Sequence, residues 1–488
     1  MTASIALKHA LLVAGLGFGD EGKGSVVDWL TRQHAATGKT LVVRYNGGPQ
    51  AAHHVVTQDG TTHCFSQLGA GMLVPQSCTF LSRFMVVDPL ALFAEVQALQ
   101  GVGVRDIWAR LQLDPRCVVV TPFHRILNQM QEVARGSSRH GSCGRGVGQA
   151  LLDSEKPGLP VLRIGDLFDH NRLRAQLKLQ WLVKLDQAEQ LLSAAEELHA
   201  ALQPSEHRQL QELLVDLRNE GRVPALAEAF LALPQQLGIT IAEQPHSAHA
   251  DVAIFEGAQG VLLDRSYGFF PHVTPSRATF VNAHALLKEW QVDTQPKHIG
   301  VLRAYATRHG AGPLPTEDAR LTAQLPDPHN GSGPWQGPFR VGHFDAVLAR
   351  YALAVVAQAQ AAASPDDGRS TSASARGIDS LIITCLDRLA GQTSLQLADG
   401  YIDQSGVLHR TLPLPPTSET STQAAAQQTQ FLQRLRPHYR ALQSFSEPGL
   451  PAAAQAYLAA IGEELGVPVA AVSLGRTAQD KRNLSVGA

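Results

Sequence analysis

The chain has 488 residues, 41 Lys and Arg against 43 Asp and Glu, a formal charge of −2 and only 17% charged residues. That balance excludes a protein that binds nucleic acid by neutralising phosphates, and a 44% hydrophobic share with 42 Gly and 28 Pro excludes collagen-like or wholly disordered chains. The five cysteines, Cys64, Cys78, Cys117, Cys143 and Cys385, form no C-x-x-C pair; they indicate neither a disulfide framework nor a zinc module, and a reducing cytoplasm is expected. The apolar stretch from Ala10 to Gly19 runs straight into Asp20 and Glu21, as a signal peptide or membrane span would not, so no membrane and no nucleic-acid partner are expected.

In chain order, Ala10–Ala14 is a short continuous apolar run bounded by glycines, the pattern of a strand buried on both faces of a parallel sheet. A helix is predicted from near Gly24 to Leu30, then a second strand over Thr40–Tyr45, which completes a β-α-β unit. Further buried strands are predicted at Cys117–Thr121, Val252–Phe255, Ile299–Leu302 and Ser380–Thr384. Residues 177–245, rich in Leu, Ala, Gln and Glu at helical spacing, read as a helical lobe; 361–377 and 411–426, small and polar with Pro, read as surface insertions. Strands alternating with helices give an α/β fold with a mostly parallel central sheet and flanking helices. No internal repeat or clear boundary appears, so residues 1–488 are expected to form one domain.

The glycine loop Gly15-Leu-Gly17-Phe-Gly19-Asp20-Glu21-Gly22-Lys23-Gly24-Ser25 approaches two patterns at once. As a dinucleotide fingerprint it needs an acid at the end of the second strand, which instead ends Arg44-Tyr45-Asn46. As a P-loop it carries Gly24 where a magnesium-binding Ser or Thr belongs. What remains is an anion cradle, backbone N–H groups at a helix N-terminus plus Lys23, with two carboxylates inside it. Those carboxylates would repel a phosphate unless one holds a metal or moves a proton. A plain strand-to-helix turn with solvated acids is the bland alternative.

The stretch Gly19-Asp-Glu-Gly-Lys-Gly24 resembles the opening signature of the adenylosuccinate synthetase family, and further blocks match in order. They are Arg44-Tyr-Asn-Gly-Gly-Pro-Gln-Ala-Ala-His53, His140-Gly-Ser-Cys-Gly-Arg-Gly-Val-Gly148, Phe255-Glu-Gly-Ala-Gln-Gly-Val-Leu-Leu-Asp264 with Phe270-Pro-His-Val-Thr274, and Ala304 through Glu317. The resemblance implies a P-loop-NTPase-like fold and a two-step ligation. A base removes the N1 proton of an IMP-like nucleotide, the 6-oxygen takes the γ-phosphoryl group of GTP, and an amine, aspartate in the family, displaces phosphate from C6. It further implies Asp20 as base and His53 as donor to the transferring phosphoryl oxygens. Gly19, Glu21, Gly22, Lys23, Gly24, Asp387, Ser473 and Gly475 are the expected GTP contacts. Gln50, Ser142, Cys143, Arg145, Gln259, Thr274 and Arg340 are the expected substrate contacts. Mg²⁺ is expected on Asp20 and the backbone carbonyl of Ala52. A cytoplasmic homodimer follows from the same likeness. An acid at Asp387 accepts from the guanine N1–H and 2-amino group and rejects adenine, which favours GTP over ATP. Arg308, in a matched block, is expected near substrate; Arg303 reads equally as an ion-pair partner; and His54 reads as a packing or solvent residue.

The amine loop departs from the family. The run of hydroxyls and guanidiniums that would grip the two carboxylates of aspartate is replaced by Gly331 through Asp345, in which Arg340 and the Gly342…Asp345 frame survive beside Gln336, Gly337 and Phe339. The family's Lys-Leu-Asp guanine motif has become Cys385-Leu-Asp387. Two rivals follow: a paralogue that joins a different amine or uses a modified purine nucleotide, and a regulator that binds nucleotide without turnover. Retention of Asp20 and His53 speaks against the second.

Overall fold

The apolar run near the start of the chain forms strand β1, His9–Gly15, buried at every position after His9. The computed structural model describes residues 5–197, 202–246, 250–331, 333, 335–363, 377–415 and 422–484. Within them, β1 lies in a ten-stranded sheet with β2 Thr40–Arg44, β3 Ser77–Leu81, β4 Leu111–Leu113, β5 Thr240–Ile241, β6 Val252–Gly260, β7 Lys297–Arg303, β8 Ser380–Thr384, β9 Val469–Ser473 and β10 Lys481–Asn483. The spatial order is β10-β9-β8-β7-β1-β6-β2-β3-β4-β5. Every neighbouring pair is parallel except the antiparallel edge pair β9/β10. This is the α/β fold expected.

Two hydrophobic clusters cover the two faces of the sheet. Helix Ala346–Ala363 is apolar and long enough to cross a membrane by composition. Val347, Tyr351, Val355 and Val356 nevertheless sit in the first cluster, which makes it a core helix. On the other face, helices His170–Glu197, Pro204–Leu217 and Arg222–Leu237 bury Leu177, Trp181, Leu214 and Phe230, and the Trp181 indole donates to the Leu217 carbonyl at 2.8 Å. The Cys117–Thr121 segment differs from expectation. Only Val118–Val119 is strand, and it pairs with Val86–Val87 outside the central sheet, because Cys117 instead turns back on Asp114 and aims its thiol at the carbonyls of Leu81 and Ser82. Residues 364–376 and 416–421 of the two expected insertions lie outside the described residues, and Thr422–Gln433 is a helix.

A second, four-stranded sheet of Phe344–Asp345, Leu395–Ile402, Leu408–His409 and Arg436–Leu442 packs beside the first. Its polar anchor is Asp345, which accepts from the Tyr401 hydroxyl at 2.6 Å and the Leu348 amide at 2.9 Å. Burial pushes the Asp345 carboxyl up to about 6, against those hydrogen bonds. Its proton is therefore held more tightly in the folded chain than in the unfolded one. The stability this supplies is complete below the unfolded value near 4 and is lost as pH rises through about 6, some 3 kcal/mol in all. Asp345→Asn is expected to flatten this part of the pH dependence and to gain on the parent above pH 6, read as urea midpoints at pH 4.5 and 7.

Candidate functional site

In a parallel sheet, ligands bind beyond the carboxyl ends of the strands, and here those ends carry the predicted residues. The glycine loop follows β1, the His53 loop follows β2, Gln259 closes β6, Arg303 closes β7, Asp387 follows β8 and Ser473 ends β9.

The two loop carboxylates have separate surroundings. Glu21 is buried; its Oε1 accepts from the amides of Gly17 at 2.9 Å and Gly19 at 2.8 Å, and its Oε2 meets Lys23 Nζ at 2.7 Å. It acts as an internal anion that shapes the loop its neighbours build. Lys23 also donates to the Gly19 carbonyl at 2.8 Å. Gly22, at φ 84°, caps helix α1, Lys23–Ala35, in a left-handed conformation that glycine adopts without strain. Asp20 is partly exposed. Its backbone carbonyl accepts from Arg303 Nε, and its Oδ1 lies 3.4 Å from Asn330 Nδ2. Burial raises the Asp20 carboxyl above the ordinary carboxylate range, with the Arg303 charge opposing. That shift suits a base, whose efficiency improves as its basicity approaches that of its target.

His53 reaches the same loop through Gly24. A Cβ on Gly24 would stand 2.5 Å from His53 Cβ and 2.9 Å from its Cα. The glycine at the P-loop Ser/Thr position therefore admits the His53 strand directly against the start of α1. The Lys23 charge lowers the pKa of both Asp20 and His53, behind larger causes in each. His53 Nδ1 sits 2.5 Å from Glu256 Oε1, while Glu256 Oε2 accepts from the Ala70 amide at 2.9 Å. Burial lowers the His53 pKa and Glu256 pulls it back. Burial works to raise Glu256, but the facing His53 and Arg44 hold it below its usual value. Glu256 stays ionised and fixes the imidazole with Nδ1–H toward itself, leaving Nε2 for a ligand. Glu256→Gln is expected to lower turnover about tenfold to a hundredfold with the fold intact, measured as kcat beside the melting temperature.

On the nucleotide side, the amide oxygens Gln50 Oε1 and Gln259 Oε1 are buried with no hydrogen-bond partner among the described residues, an arrangement that asks for a donor from a ligand. Asn46 pins the adjoining backbone, with Oδ1 accepting from the Ala258 amide at 2.6 Å and Nδ2 donating to the Arg277 carbonyl at 2.8 Å. Ser142 Oγ accepts from Asn128 Nδ2 at 3.0 Å. Cys143 is partly buried, Arg145 is exposed, and burial pushes the Cys143 thiol up. Thr274 Oγ1 accepts from the Ser276 amide at 3.3 Å. Trp335 of the amine loop covers this segment, packing on Gly144.

At the other end, Asp387 is partly exposed with its carboxyl raised by burial. Ser473 Oγ donates to the Gly475 carbonyl at 2.7 Å, and Ser473 pairs across the strand with Lys481. Ala52 is exposed immediately before the His53 strand. The arginines are engaged within the chain. Arg340 pairs with Glu317 at 2.6 Å and donates to the carbonyls of Gly310 and Gly312. Arg308 is buried on the carbonyls of Ala311 and Pro313. His54 stacks on His329 with ring centroids 4.0 Å apart. Sequence reasoning gave no role to Glu256, Asn46, Asn330 or the Arg303–Asp327 pair; Glu256 alone carried a signal, as an acid following the apolar run Val252–Phe255.

Fold and site together define a nucleotide-binding α/β enzyme of the glycine-loop type. The adenylosuccinate synthetase family model matches residues 12–364 and 369–481. The adenylosuccinate synthetase of Myxococcus xanthus is 32% identical over 481 residues, covering 95% of this chain and 96% of the relative. That of Neisseria meningitidis is 29% identical over 492 residues, covering 96% and 97%. The fold matches the fully ligated adenylosuccinate synthetase of Plasmodium falciparum with a TM-score of 0.68 at 19% identity, over 97% of this chain and 99% of that one. It also matches a cyanophage S-2L succinoaminodeoxyadenylate synthetase with a TM-score of 0.55 at 17% identity, over 98% and 95%. The chain belongs to the adenylosuccinate synthetase family. It is a GTP-dependent ligase of purine biosynthesis that forms a C–N bond on a nucleotide substrate.

Proposed function

We propose that the chain condenses IMP with aspartate, using GTP, as a cytoplasmic homodimer built from one domain that carries a helical lobe over 177–245. The observation that carries this reading is the close approach of the glycine loop, at Gly24, to the Glu256-held His53, together with the unpartnered amide oxygens of Gln50 and Gln259. Asp20 takes the N1 proton of the purine, which makes the 6-oxygen a nucleophile toward the γ-phosphorus of GTP. As GDP leaves, His53, protonated on both ring nitrogens with Nδ1–H toward Glu256, donates from Nε2 to the transferring oxygens, and Glu256 stabilises the imidazolium. The amine then attacks C6 and inorganic phosphate departs.

Lys23 and the loop amides hold GTP phosphates, Asp387 with Ser473 and Gly475 faces the guanine, and Gln259 and Gln50 face the purine. Ser142, Cys143, Arg145 and Thr274 surround the nucleotide's 5′-phosphate, with Arg340 behind the amine. A magnesium ion fits the residues present. Asp20 is partly exposed and Ala52 exposed, and a carboxylate and a backbone carbonyl are the hard oxygen donors magnesium takes. This is the sparse protein contribution of a site whose other ligands are phosphates and water. When bound, the ion offsets charge on the phosphates.

Steady-state GTP hydrolysis with IMP, assayed across a panel of amino acids, tests the reading. Turnover with aspartate alone supports it, turnover only with another amine replaces the donor, and silence with every amine refutes it.

A further inference from the structure

The segment Pro326–Asn330 touches both catalytic loops and the guanine-side loop, although it belongs to the stretch that leads into the amine loop. Asp327 Oδ2 accepts from Arg303 Nη2 at 3.0 Å in a largely buried pair, and the same guanidinium donates through Nε to the Asp20 carbonyl. His329 stacks on His54, the immediate neighbour of His53. Arg388, beside Asp387, donates to the Pro326 carbonyl at 2.7 Å. The turn itself is fixed by Asp327 Oδ1, which accepts from the His329 amide at 3.0 Å. At its end, Asn330 presents Nδ2 to Asp20 Oδ1 at 3.4 Å.

A carboxylate that must meet one purine proton gains from being held in a single rotamer, because misplacement by an ångström costs orders of magnitude in rate. Backbone contacts fix where residue 20 sits, but they leave its side-chain torsions free. Asn330 is the side chain that engages the carboxylate itself, and doing so through Oδ1 leaves Oδ2 for the substrate. We propose that Asn330 is a positioning residue for Asp20, carried on a clamp, Asp327–Asn330, that makes orientation of the base depend on how the segment before the amine loop is seated. The proposal rests on the reading of Asp20 as the base.

The test compares Asn330→Ala, Asn330→Gln and Asp20→Asn in the full chain, by steady-state turnover with IMP, GTP and aspartate. Asn330→Ala is expected to lower kcat about tenfold while KM for GTP and for IMP stays within about twofold. Asn330→Gln, which keeps an amide donor, is expected to recover kcat to at least about threefold above the Ala variant. An Ala variant with kcat at the parent level, a rise in both KM values that accounts for the loss, or equal impairment by Ala and Gln overturns the positioning role. In each of those cases an inactive Asp20→Asn leaves the base assignment standing. An active Asp20→Asn removes that assignment, and the proposal falls with it.

Discussion

Asp20→Asn is expected to lower IMP-dependent GTP turnover about a thousandfold or more while leaving GTP affinity, measured without magnesium, within about twofold of the parent. The asymmetry follows from the division of labour in the glycine loop. On the proposed reading phosphate is held by Lys23 and by loop amides other than those of Gly17 and Gly19, which Glu21 engages together with the Lys23 ammonium. Asp20 contributes its backbone carbonyl to Arg303 and a carboxylate that touches Asn330. An Asn in its place keeps shape and volume but cannot take the N1 proton. Kinetics paired with equilibrium binding of a GTP analogue separates the two effects. Parallel loss of binding and turnover would mean that Asp20 holds nucleotide rather than activates it.

Gly24→Ala is expected to cost about a hundredfold in kcat and about 1–3 kcal/mol of stability. The new methyl would stand 2.5 Å from His53 Cβ and 3.0 Å from its carbonyl carbon, and neither the strand nor α1 can give way without moving the imidazole. His53 is fixed from its far side by Glu256 at 2.5 Å, so a shift of the backbone breaks that pair or tilts Nε2 off the transferring oxygens. Gly22 makes the control: the nearest atom to its added Cβ would be Thr384 Cγ2 at 3.5 Å, so Gly22→Ala carries backbone strain from its positive φ without driving His53 away. A larger kcat loss in Gly24→Ala than in Gly22→Ala, at matched stability loss, isolates the close approach.

Much of the central sheet was legible because the middles of β1, β2, β6, β7 and β8 are buried on both faces and read as short apolar runs. Others gave no such signal. β4 is three residues long with Gln112 at its centre, and β10 is the polar run Lys481-Arg482-Asn483, strand only because it pairs antiparallel along the edge. The second sheet was invisible for a related reason, since Arg436–Leu442 alternates between exposed and half-buried positions.

In the site, the glycine loop and the His53 block were readable because their chemistry is compressed into a few consecutive residues. Glu256 and Asn330 were not, because the contacts that give them roles span 203 and 310 positions. The departure at Gly24 was visible in the sequence as a missing magnesium-binding hydroxyl. Its physical reason, the room it leaves for His53, needed the fold. Arg340 and Arg308 show the converse limit: both were expected near substrate, and the fold engages Arg340 with Glu317 and backbone carbonyls and Arg308 with backbone carbonyls and the Phe18 ring.

The roles proposed for Asp20 and His53 require the purine 6-oxygen to become phosphorylated. IMP labelled with ¹⁸O at that position, turned over with GTP and aspartate, reports this atom directly. The label is expected in the released inorganic phosphate, one atom per product formed. Label found in water, with unlabelled phosphate, would contradict phosphoryl activation of the purine and with it the roles given to both residues.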